Sequence, residues 1–524
     1  MIKTRIEAIM NPAQRQSFVI SFTAFLSTLL LLALVSVLAL IIYRGVAYFW
    51  PAPVYSLTFV DDQTEQAKAV YARVFSEFHD QGDAVRLVVY SSSDAPHGTQ
   101  ALIDEDRILT LVESVNSADI TLNDGLSVLG VPVQIRASDN VRYSEQAYAS
   151  VAEKVSSIEQ QIEDIRTRWL SAIHQKLSEL DVRGVAMDAP AREKLNDAFR
   201  QWQNKIIKLE DQRDNYTLKI AMADGTTLSV PVASIEEIVF PGQLGVWGKV
   251  GVTFGHIGQF LIQSPKQANT AGGVFPALFG TVMMVFIMTI IVTPFGVLAA
   301  VYLNEYAPDN LLTAIIRISV SNMAGVPSIV YGVFGLGFFV YVVGGNIDAL
   351  FFADTLPAPT LGTPGLFWAA MTMAILTLPV VIVATEEGLR RVPNGLRAGS
   401  YALGATKAET ILHTVLPMAS PGIMTGVILA IARAAGEVAP LMLVGAVKFA
   451  PNLPLDTEFP YMHLDRQFMH LGVLIYDGAF HSQTDAEGAS MMFATCLLLL
   501  LVVLVLNILA VLLRARLRKR YLTN

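Results

Sequence analysis

Long uncharged stretches dominate the hydrophobic pattern of this chain. A helix needs about 18 to 20 apolar residues to cross the ~30 Å hydrocarbon core of a bilayer. Stretches of at least that length lie at 17–43, 270–304, 318–347, 366–385, 417–447 (interrupted only by Arg433 and Glu437) and 489–513. The pattern predicts an all-α membrane protein with six transmembrane helices, the first within residues 1–50 and five within 270–524.

Residues 51–240 follow a different, water-facing pattern. Apolar or alternating runs at 86–90 and 131–136 predict strands. From 144 to 180, apolar residues recur at spacings of mostly three and four, and the same pattern resumes between Leu195 and Leu209. We therefore expect an α+β insertion that contains an antiparallel coiled-coil hairpin at about 144–213.

Two shorter features complete the insertion and its junction with the membrane part. Asp224-Gly225 between apolar alternations predicts a β-hairpin over 216–235. The apolar, glycine-rich segment 241–269 is typical of a helix that lies along the outer membrane surface.

Composition supports the membrane assignment. The chain is 53% hydrophobic and 16% charged, whereas soluble domains carry about 25% charged residues. Cys496 is the only cysteine, which excludes a disulfide framework and Cys-ligated zinc or iron–sulfur sites. Residues 51–270 hold 20 Lys and Arg against 30 Asp and Glu, and this acidic balance argues against nucleic acid as a partner.

Charge distribution predicts the topology. Lys3, Arg5 and Arg15 precede the first stretch, and basic residues are concentrated in the 386–407 loop and in the tail after residue 513. Positively charged loops stay in the cytoplasm. Both termini should therefore be cytoplasmic and the insertion extracytoplasmic, which means periplasmic in a cell with two membranes.

Motifs for catalysis are missing from the sequence. It has no G-x-x-x-x-G-K-[ST] phosphate loop, no H-E-x-x-H and no G-x-S-x-G, and its eight His residues are scattered. We therefore expect no catalytic residue, no metal site and no cofactor bound by this chain. The compact amphipathic segment 386–417 is either a coupling element that docks into another protein or an ordinary connector.

Several motifs in fixed order carry a family resemblance. Gly404, followed at fixed spacing by Leu416 and Pro417, resembles the EAA loop of ABC-importer permeases. Residues 302–306 (YLNEY), 325–332 (GVPSIVYG), 401–406 (YALGAT) and 422–440 (GIMTGVILAIARAAGEVAP) resemble the phosphate permease family called PstA. The resemblance covers 270–524 well and 17–50 loosely, and does not include the insertion.

The resemblance implies a function and partners. It implies a permease subunit that imports phosphate with a sister permease, two copies of an ATPase that uses the ATP, and a phosphate-binding protein. The ATPase would dock on a coupling loop that contains Arg397, Gly404, Ala405, Thr406, Lys407, Leu416 and Pro417. Two departures stand out: the Glu-Ala-Ala triplet aligns with Ala398-Gly399-Ser400, and Thr414 replaces an Ile. Without the acidic residue, docking would depend more on Arg397, Lys407 and backbone contacts.

Arg433 and Glu437 are the candidate transport residues. At positions i and i+4 they would share one helical face and pair, and Arg433 would lie near the middle of the membrane when counted from Pro421. A charge at that depth is costly, so both should face protein or water. Either they line an anion path or they form an ion pair that locks helix packing. Arg317 is a weaker candidate for the same path, because it also suits an interfacial position.

Other functions stay open at this point. A permease for another oxyanion, such as molybdate, sulfate or phosphonate, has the same class of architecture. A transmembrane sensor could use the outer hairpin, but it needs a sizeable cytoplasmic output domain, and the longest inner segment has about thirty residues. An enzyme would need a catalytic cluster that the sequence does not contain.

Overall fold

The computed structural model describes residues 12–61, 65–80, 83–137, 140–185, 189–266, 271–353, 357–457, 460–481 and 486–522. Lys3 and Arg5, which contribute to the predicted topology, lie outside the described residues. The chain divides into two compact units: residues 50–256, and residues 1–49 together with 257–524.

Among the described residues, six helices of the second unit are long and apolar enough to cross a membrane, as the pattern predicts. They are named here the first to sixth spans: Gln16–Ala47, Phe275–Tyr306, Ser328–Phe351, Leu366–Arg390, Lys407–Gly436 and Gly488–Leu512. The helices that contain the first and the sixth span extend over Pro12–Ala47 and Ala486–Leu522. Shorter helices lie at Leu311–Met323, Asn394–Ala402, Ala439–Val444 and Leu471–His481.

Three of the spans contain π-helical turns, and this unit also has two small strand pairs. The π-helical turns are Tyr302–Tyr306, Gly335–Gly344 and Ile411–Val415. The strand pairs are Pro265–Lys266 with Ala271–Gly272 (antiparallel) and Ala446–Val447 with Phe468–Met469 (parallel).

The third and fifth spans differ from the predicted boundaries. The stretch predicted from residue 318 is interrupted, because helix Leu311–Met323 ends before Pro327 and the third span begins at Ser328. A proline lacks the N–H that a helix interior needs and disfavours helix at the residue before it. The fifth span begins at Lys407 and ends at Gly436, so the stretch 417–447 is not one continuous helix.

The fourth span is the centre of the membrane unit. It is the most buried of the six, and its Leu366, Met373 and Leu376 pack in one apolar cluster with Met284 of the second span and Ala434 of the fifth. A Cβ built on Gly422 would lie 2.5 Å from Cα of Gly388. The fourth and fifth helices therefore approach closely because both have a glycine there, as small residues permit in membrane bundles.

The unit of residues 50–256 contains two antiparallel sheets. The first has the order β4-β3-β2-β1-β5, and the second has the order β10-β9-β7-β6-β11 with β8 paired to β7. The strands are β1 Tyr55–Val60, β2 Ala67–Asp80, β3 Asp83–Ser91, β4 Thr99–Asp104, β5 Ile108–Glu113, β6 Ala118–Leu122, β7 Ser127–Arg136, β8 Asn140–Arg142, β9 Thr217–Ala221, β10 Thr227–Pro231 and β11 Ile235–Val239.

Each sheet has its own apolar core. Leu57, Val70 and Val88 are fully or almost fully buried in the first sheet. Ile120 and Leu218 are buried in the second, where helix residues pack on them. The hairpin predicted at Asp224-Gly225 is present between β9 and β10, and Gly225 takes a φ of +83° there.

Helical segments are inserted between strands β8 and β9 of the second sheet. They are Glu145–Asp164, the π-helical turn Ile165–Leu170, Ser171–Val182 and Pro190–Asp214. Trp169 stacks on Trp202 with 4.7 Å between ring centroids, and Ile162, Ile165 and Ile206 are buried together. The helices on either side of residue 184 therefore contact each other through their apolar residues, while the coiled-coil geometry stays a prediction.

The glycine-rich segment predicted to lie at the membrane surface forms the helix Val246–Ile262. Trp247, Phe254 and Ile262 are largely exposed on it. Large exposed apolar side chains on one short helix are typical of a helix that contacts lipid headgroups and acyl chains.

Candidate functional site

The fifth span breaks beside the pair of charges singled out from the sequence. The helix ends at Gly436, and Glu437 is its C-cap in extended conformation (φ −83°, ψ 135°). The apolar stretch continues as a separate helix, Ala439–Val444. The expectation that Arg433 and Glu437 share one helical face is therefore wrong for Glu437, because the helix ends one residue before it.

Arg433 lies in the last turn of the fifth span. Its Nε is 3.5 Å from Oε1 of Glu437, and the side chains are 31% and 23% exposed. A cation at this position is favoured by the partial negative charge of a helix C-terminus. The depth expected from Pro421 does not apply, since the helix begins at Lys407. The pair is loose and accessible, so its guanidinium can exchange a carboxylate for another anion.

Arg317 lies elsewhere in the membrane unit. Its Nη2 donates to the Leu303 carbonyl oxygen at 2.7 Å, and its Nε is 3.6 Å from Oε1 of Glu386. Glu386 is also 3.9 Å from Nη2 of Arg390. These contacts place Arg317 between the end of the second span and the fourth span, and the structure does not bring it together with Arg433.

The predicted coupling loop 386–417 contains a helix, a glycine turn and the beginning of the fifth span. Helix Asn394–Ala402 ends at Gly404, which takes a φ of +88°. The Gly404 amide donates to the Tyr401 carbonyl at 2.9 Å, and the Ala405 amide donates to Ser400 at 3.2 Å. This is a glycine C-cap, in which a left-handed residue satisfies the last helical carbonyls.

A capping box begins the fifth span. The Thr406 hydroxyl accepts from the Glu409 amide at 3.3 Å, and Glu409 Oε2 accepts from the Thr406 amide at 2.8 Å. The helix then continues through the π-helical turn Ile411–Val415 and past Pro417. The helix therefore starts ten residues before the apolar stretch that the sequence predicts from residue 417.

Arg397 and Lys407, the two basic residues expected to contact the ATPase, form contacts within this chain. Arg397 is 17% exposed and its Nη2 is 2.9 Å from Oε1 of Glu305. Lys407 Nζ donates to the Glu305 carbonyl oxygen and lies 4.7 Å from the centre of the Tyr306 ring. Their role in docking stays a prediction, and their contacts in the structure are with the π-helical turn that ends the second span.

The other predicted loop residues divide between interior and surface. Leu416 packs against an apolar cluster that includes Ile411 and Val415, and Ala405 and Pro417 are half-buried. Leu403, which the sequence did not single out, is 91% exposed. It is an apolar contact available to a partner.

Sequence reasoning missed three polar residues. Glu305 was noted only as part of YLNEY, and Glu386 only as the beginning of the loop. His470 is fully buried, and its Nδ1 accepts from the Gly472 amide at 3.1 Å. Thr406-x-x-Glu409 is the one local signal that could have identified the helix start, since a threonine followed three residues later by glutamate is a capping-box pattern. The partners of Glu305 and Glu386 come from distant parts of the chain, so no local pattern reveals them.

Comparisons with known proteins agree on one family. Residues 292–519 match the family described as "Binding-protein-dependent transport system inner membrane component". Phosphate transport system permease protein PstA 1 of Mycobacterium tuberculosis (strain CDC 1551 / Oshkosh) is 34% identical over 244 residues, which are 47% of this chain and 71% of that protein. PstA of Yersinia pestis is 34% identical over 252 residues, 48% of this chain and 75% of that protein.

One solved structure illustrates how distant the structural matches are. The inward-facing MetNI methionine ABC transporter matches 47% of this chain and 94% of its own at 20% identity and a TM-score of 0.33, a value too low to establish more than a loose likeness.

Proposed function

Because this chain belongs to the PstA family of binding-protein-dependent transport permeases, we propose that it is the permease subunit of an ATP-driven phosphate importer. It forms half of the transmembrane pathway with a sister permease and moves inorganic phosphate inward by alternating access. The observation that carries the proposal is Arg433, an accessible cation at a helix break inside an otherwise apolar span.

At the break in the fifth span Arg433, and not the helix end itself, attracts the anion, because a helix C-terminus carries partial negative charge. Discontinuous membrane helices supply ion sites in other transporters, because their ends leave polar backbone groups unpaired. Arg433 attracts phosphate through its bidentate fork, and Glu437 occupies the guanidinium when no anion is present. A charged residue in a membrane segment is costly unless it faces protein or water, and it is a functional candidate for that reason. Arg317, tied to Leu303 and Glu386, contributes to the electrostatic potential of the path at a separate position.

Coupling to an ATPase supplies the energy. Import of one negative charge against 100 mV, negative inside, costs about 2.3 kcal/mol, and phosphate near neutral pH carries one to two charges. The chain has no nucleotide-binding motif, so two copies of a separate ATPase bind ATP. They dock on the loop 386–417, where Leu403 is an exposed apolar contact.

The termini are cytoplasmic and residues 51–240 are extracytoplasmic, in the periplasm of a cell with two membranes. The basic residues of the 386–407 loop and of the tail support this topology. The helical segments between Glu145 and Asp214 form the coiled-coil hairpin of the insertion. A phosphate-binding protein delivers the substrate on this side.

The test compares Arg433→Gln and Arg433→Lys in proteoliposomes that contain the complete transport complex. We expect Arg433→Gln to abolish phosphate uptake without loss of assembly, because the amide keeps hydrogen-bonding capacity but no charge. Arg433→Lys should keep partial uptake, since the charge remains but the bidentate fork is lost. Arg168→Gln is the matched control, because Arg168 forms an i,i+4 pair with Asp164 at an exposed position.

The double variant Arg433→Gln with Glu437→Gln separates transport from packing. If the pair only locks the fold, each single change leaves an uncompensated charge and assembly fails, whereas the double change restores both assembly and uptake. If Arg433 binds the anion, the double variant assembles and does not transport. Competition of labelled phosphate uptake by molybdate, sulfate and phosphonates then identifies the anion, and stronger competition by any of them than by phosphate would contradict the phosphate assignment.

A further inference from the structure

Arg397 connects three parts of the membrane unit. Its Nη1 donates to the Val392 carbonyl oxygen and to Oδ1 of Asn394, both at 3.0 Å. Its Nη2 donates to the Leu389 carbonyl oxygen and to Oε1 of Glu305, both at 2.9 Å. One guanidinium therefore joins the end of the fourth span, the coupling loop and the end of the second span.

Glu305 is the residue that brings the second span into this connection. Its side chain is 10% exposed, and Oε1 also accepts from Nδ2 of Asn304 at 2.9 Å. Charge-assisted hydrogen bonds in a shielded site are about twice as strong as neutral ones. Removal of Glu305 leaves the partly buried Arg397 without its counter-charge, which should loosen this connection more than the loss of an exposed pair would.

A second contact ties the other half of the loop to the same turn. Lys407 Nζ donates to the backbone oxygen of Glu305 and lies over the Tyr306 ring. Oγ of Ser400 and Oγ1 of Thr410 are 2.9 Å apart, which links helix Asn394–Ala402 to the beginning of the fifth span. Both halves of the coupling loop are thus attached to each other and to residues 302–306.

Apolar packing lies beneath these polar contacts. Val301 and Leu303 of the second span are buried with Leu389 and Val392, and with Val415 of the fifth span. Packed interiors deform little and transmit displacement. A displacement of the coupling loop must therefore move residues 302–306 with it or break the Glu305–Arg397 contact.

We propose that Glu305 and Arg397 are positioning residues that make the end of the second span move as one body with the coupling loop, so that force from the ATPase reaches a pathway helix directly. This inference rests on the proposed function. In this chain the aligned Glu-Ala-Ala triplet is Ala398-Gly399-Ser400, and the carboxylate that holds the loop comes from the second span instead.

The first test measures ATP hydrolysed per phosphate imported by the complete complex in proteoliposomes. Glu305→Ala should raise this ratio at least about fivefold, the lower end of ordinary coupling factors, while the yield of assembled complex stays within about twofold. Glu305→Gln, which keeps an oxygen acceptor, should raise the ratio less. Asp164→Ala is the matched control, since the pair of Asp164 with Arg168 at 2.8 Å is exposed and lies outside the coupling loop, so the ratio should be unchanged.

A second test measures movement directly and does not depend on phosphate transport. Spin labels at Tyr302 and Ala402, both exposed, are placed on a Cys496→Ala background. The distance between them should be the same with and without nucleotide in the unsubstituted complex. In Glu305→Ala, the distribution of this distance should broaden or its mean should change between the states with and without nucleotide. Glu305→Gln is measured instead if the alanine variant does not assemble.

The outcomes separate this inference from the proposed function. A nucleotide-dependent change of the distance between the two labels in the unsubstituted complex overturns the inference. A Glu305 variant in which both the ratio of ATP hydrolysed to phosphate imported and the distance between the labels are normal also overturns it. A constant distance in the unsubstituted complex, together with a broadened distance distribution in the Glu305 variant, supports the inference. This holds even if the unsubstituted complex imports an anion other than phosphate, because that result would overturn only the phosphate assignment.

Discussion

Gly404 is the residue whose backbone most limits substitution in the coupling loop. Its φ of +88° lies in the left-handed region, and no atom lies within 4 Å of a Cβ built on it. The constraint is therefore conformational and not steric within this chain. A side chain in the left-handed region costs about 1–2 kcal/mol, with Asn tolerated best.

A substitution series at Gly404 should follow backbone preference. Uptake should fall in the order Gly404, Gly404→Asn, Gly404→Ala, with Gly404→Trp the least active because it adds bulk on the face that meets a partner. Gly399→Ala is the control, since Gly399 has no positive φ and open space around it, and alanine favours helix by up to about 1 kcal/mol. Equal loss in Gly399→Ala and Gly404→Ala would refute the conformational explanation.

His470 lies outside the spans and makes stability depend on pH. It is fully buried, and burial lowers its pKa from 6.5 to about 4. The folded protein therefore keeps this imidazole neutral while the unfolded chain takes up a proton below pH 6.5. The contribution to stability is complete above that pH and is lost progressively as the pH falls towards 4.

The midpoint of thermal unfolding of the purified complex should therefore decrease between pH 7 and pH 5. His470→Gln should have a lower midpoint with a shallower decrease, because a group that titrates only in the unfolded state has been removed. His413→Gln, at an exposed position, should keep the original slope. An unchanged slope in His470→Gln would contradict the assignment.

Among the elements, the fifth span begins at a capping box that controls its first turn. Thr406 and Glu409 fix its start through reciprocal hydrogen bonds. An N-cap threonine contributes about 1 kcal/mol to the helix that it begins. Because the first turn of this span is also part of the coupling loop, fraying there should alter the loop before it alters the membrane helix.

Thr406→Ala should therefore increase hydrogen exchange at the amides of Glu409 and Thr410, with little change beyond Pro417. Thr406→Ser keeps the hydroxyl and should keep the protection. Hydrogen–deuterium exchange read by mass spectrometry on the purified complex measures both. Equal exchange in the alanine and serine variants would show that the hydroxyl does not hold this turn.

The sequence predicted helices from hydrophobicity and predicted their ends less well. Six apolar stretches became six spans, because the absence of charge over a bilayer's thickness is a global signal. The break after Gly436 was missed although Gly436, Glu437 and Pro440 mark it in the sequence, because the stretch was assigned from its apolar residues alone. The predicted stretch begins at residue 417, whereas the helix begins at Lys407 and accommodates Pro417 after a π-helical turn.

The residues of the candidate site also differ in how well the sequence predicts them. Arg433 was identified because a charged residue inside an apolar stretch can be recognised from the sequence alone. The partners of Arg397 were not visible, since Glu305 is 92 residues away in sequence. Contacts of that kind depend on which spans pack together, and hydrophobic periodicity does not determine that.

At the scale of the whole molecule, residues 50–256 form a unit with its own apolar cores. The two sheets are joined by Arg73, whose guanidinium contacts Asp119 at 3.0 Å and Ser127 at 2.8 Å. Both side chains of the ion pair are less than 20% exposed. The unit therefore has internal packing of its own, and we expect it to fold independently.

Residues 51–240, expressed alone, should be soluble and should unfold cooperatively, with circular dichroism of a mixed helix and sheet protein. Arg73→Leu should lower the unfolding midpoint, because it leaves the Asp119 carboxylate buried without a counter-charge. Arg107→Leu is the control, since the pair of Arg107 with Asp104 is exposed. An insoluble or non-cooperative fragment would show that the unit depends on the rest of the chain.

The predicted topology is tested by a single cysteine on each side, on a Cys496→Ala background. Asp181 lies in helix Ser171–Val182 and pairs with Arg192, so the exposed Glu179 of the same helix is the better position. An impermeant maleimide applied to cells with a permeable outer membrane should label Glu179→Cys. It should label Leu403→Cys, in the coupling loop, only after the inner membrane is opened. Labelling in the reverse order would show that the topology is inverted, with the coupling loop where no ATPase could reach it. That result would overturn the direction of transport as well as the location of the insertion.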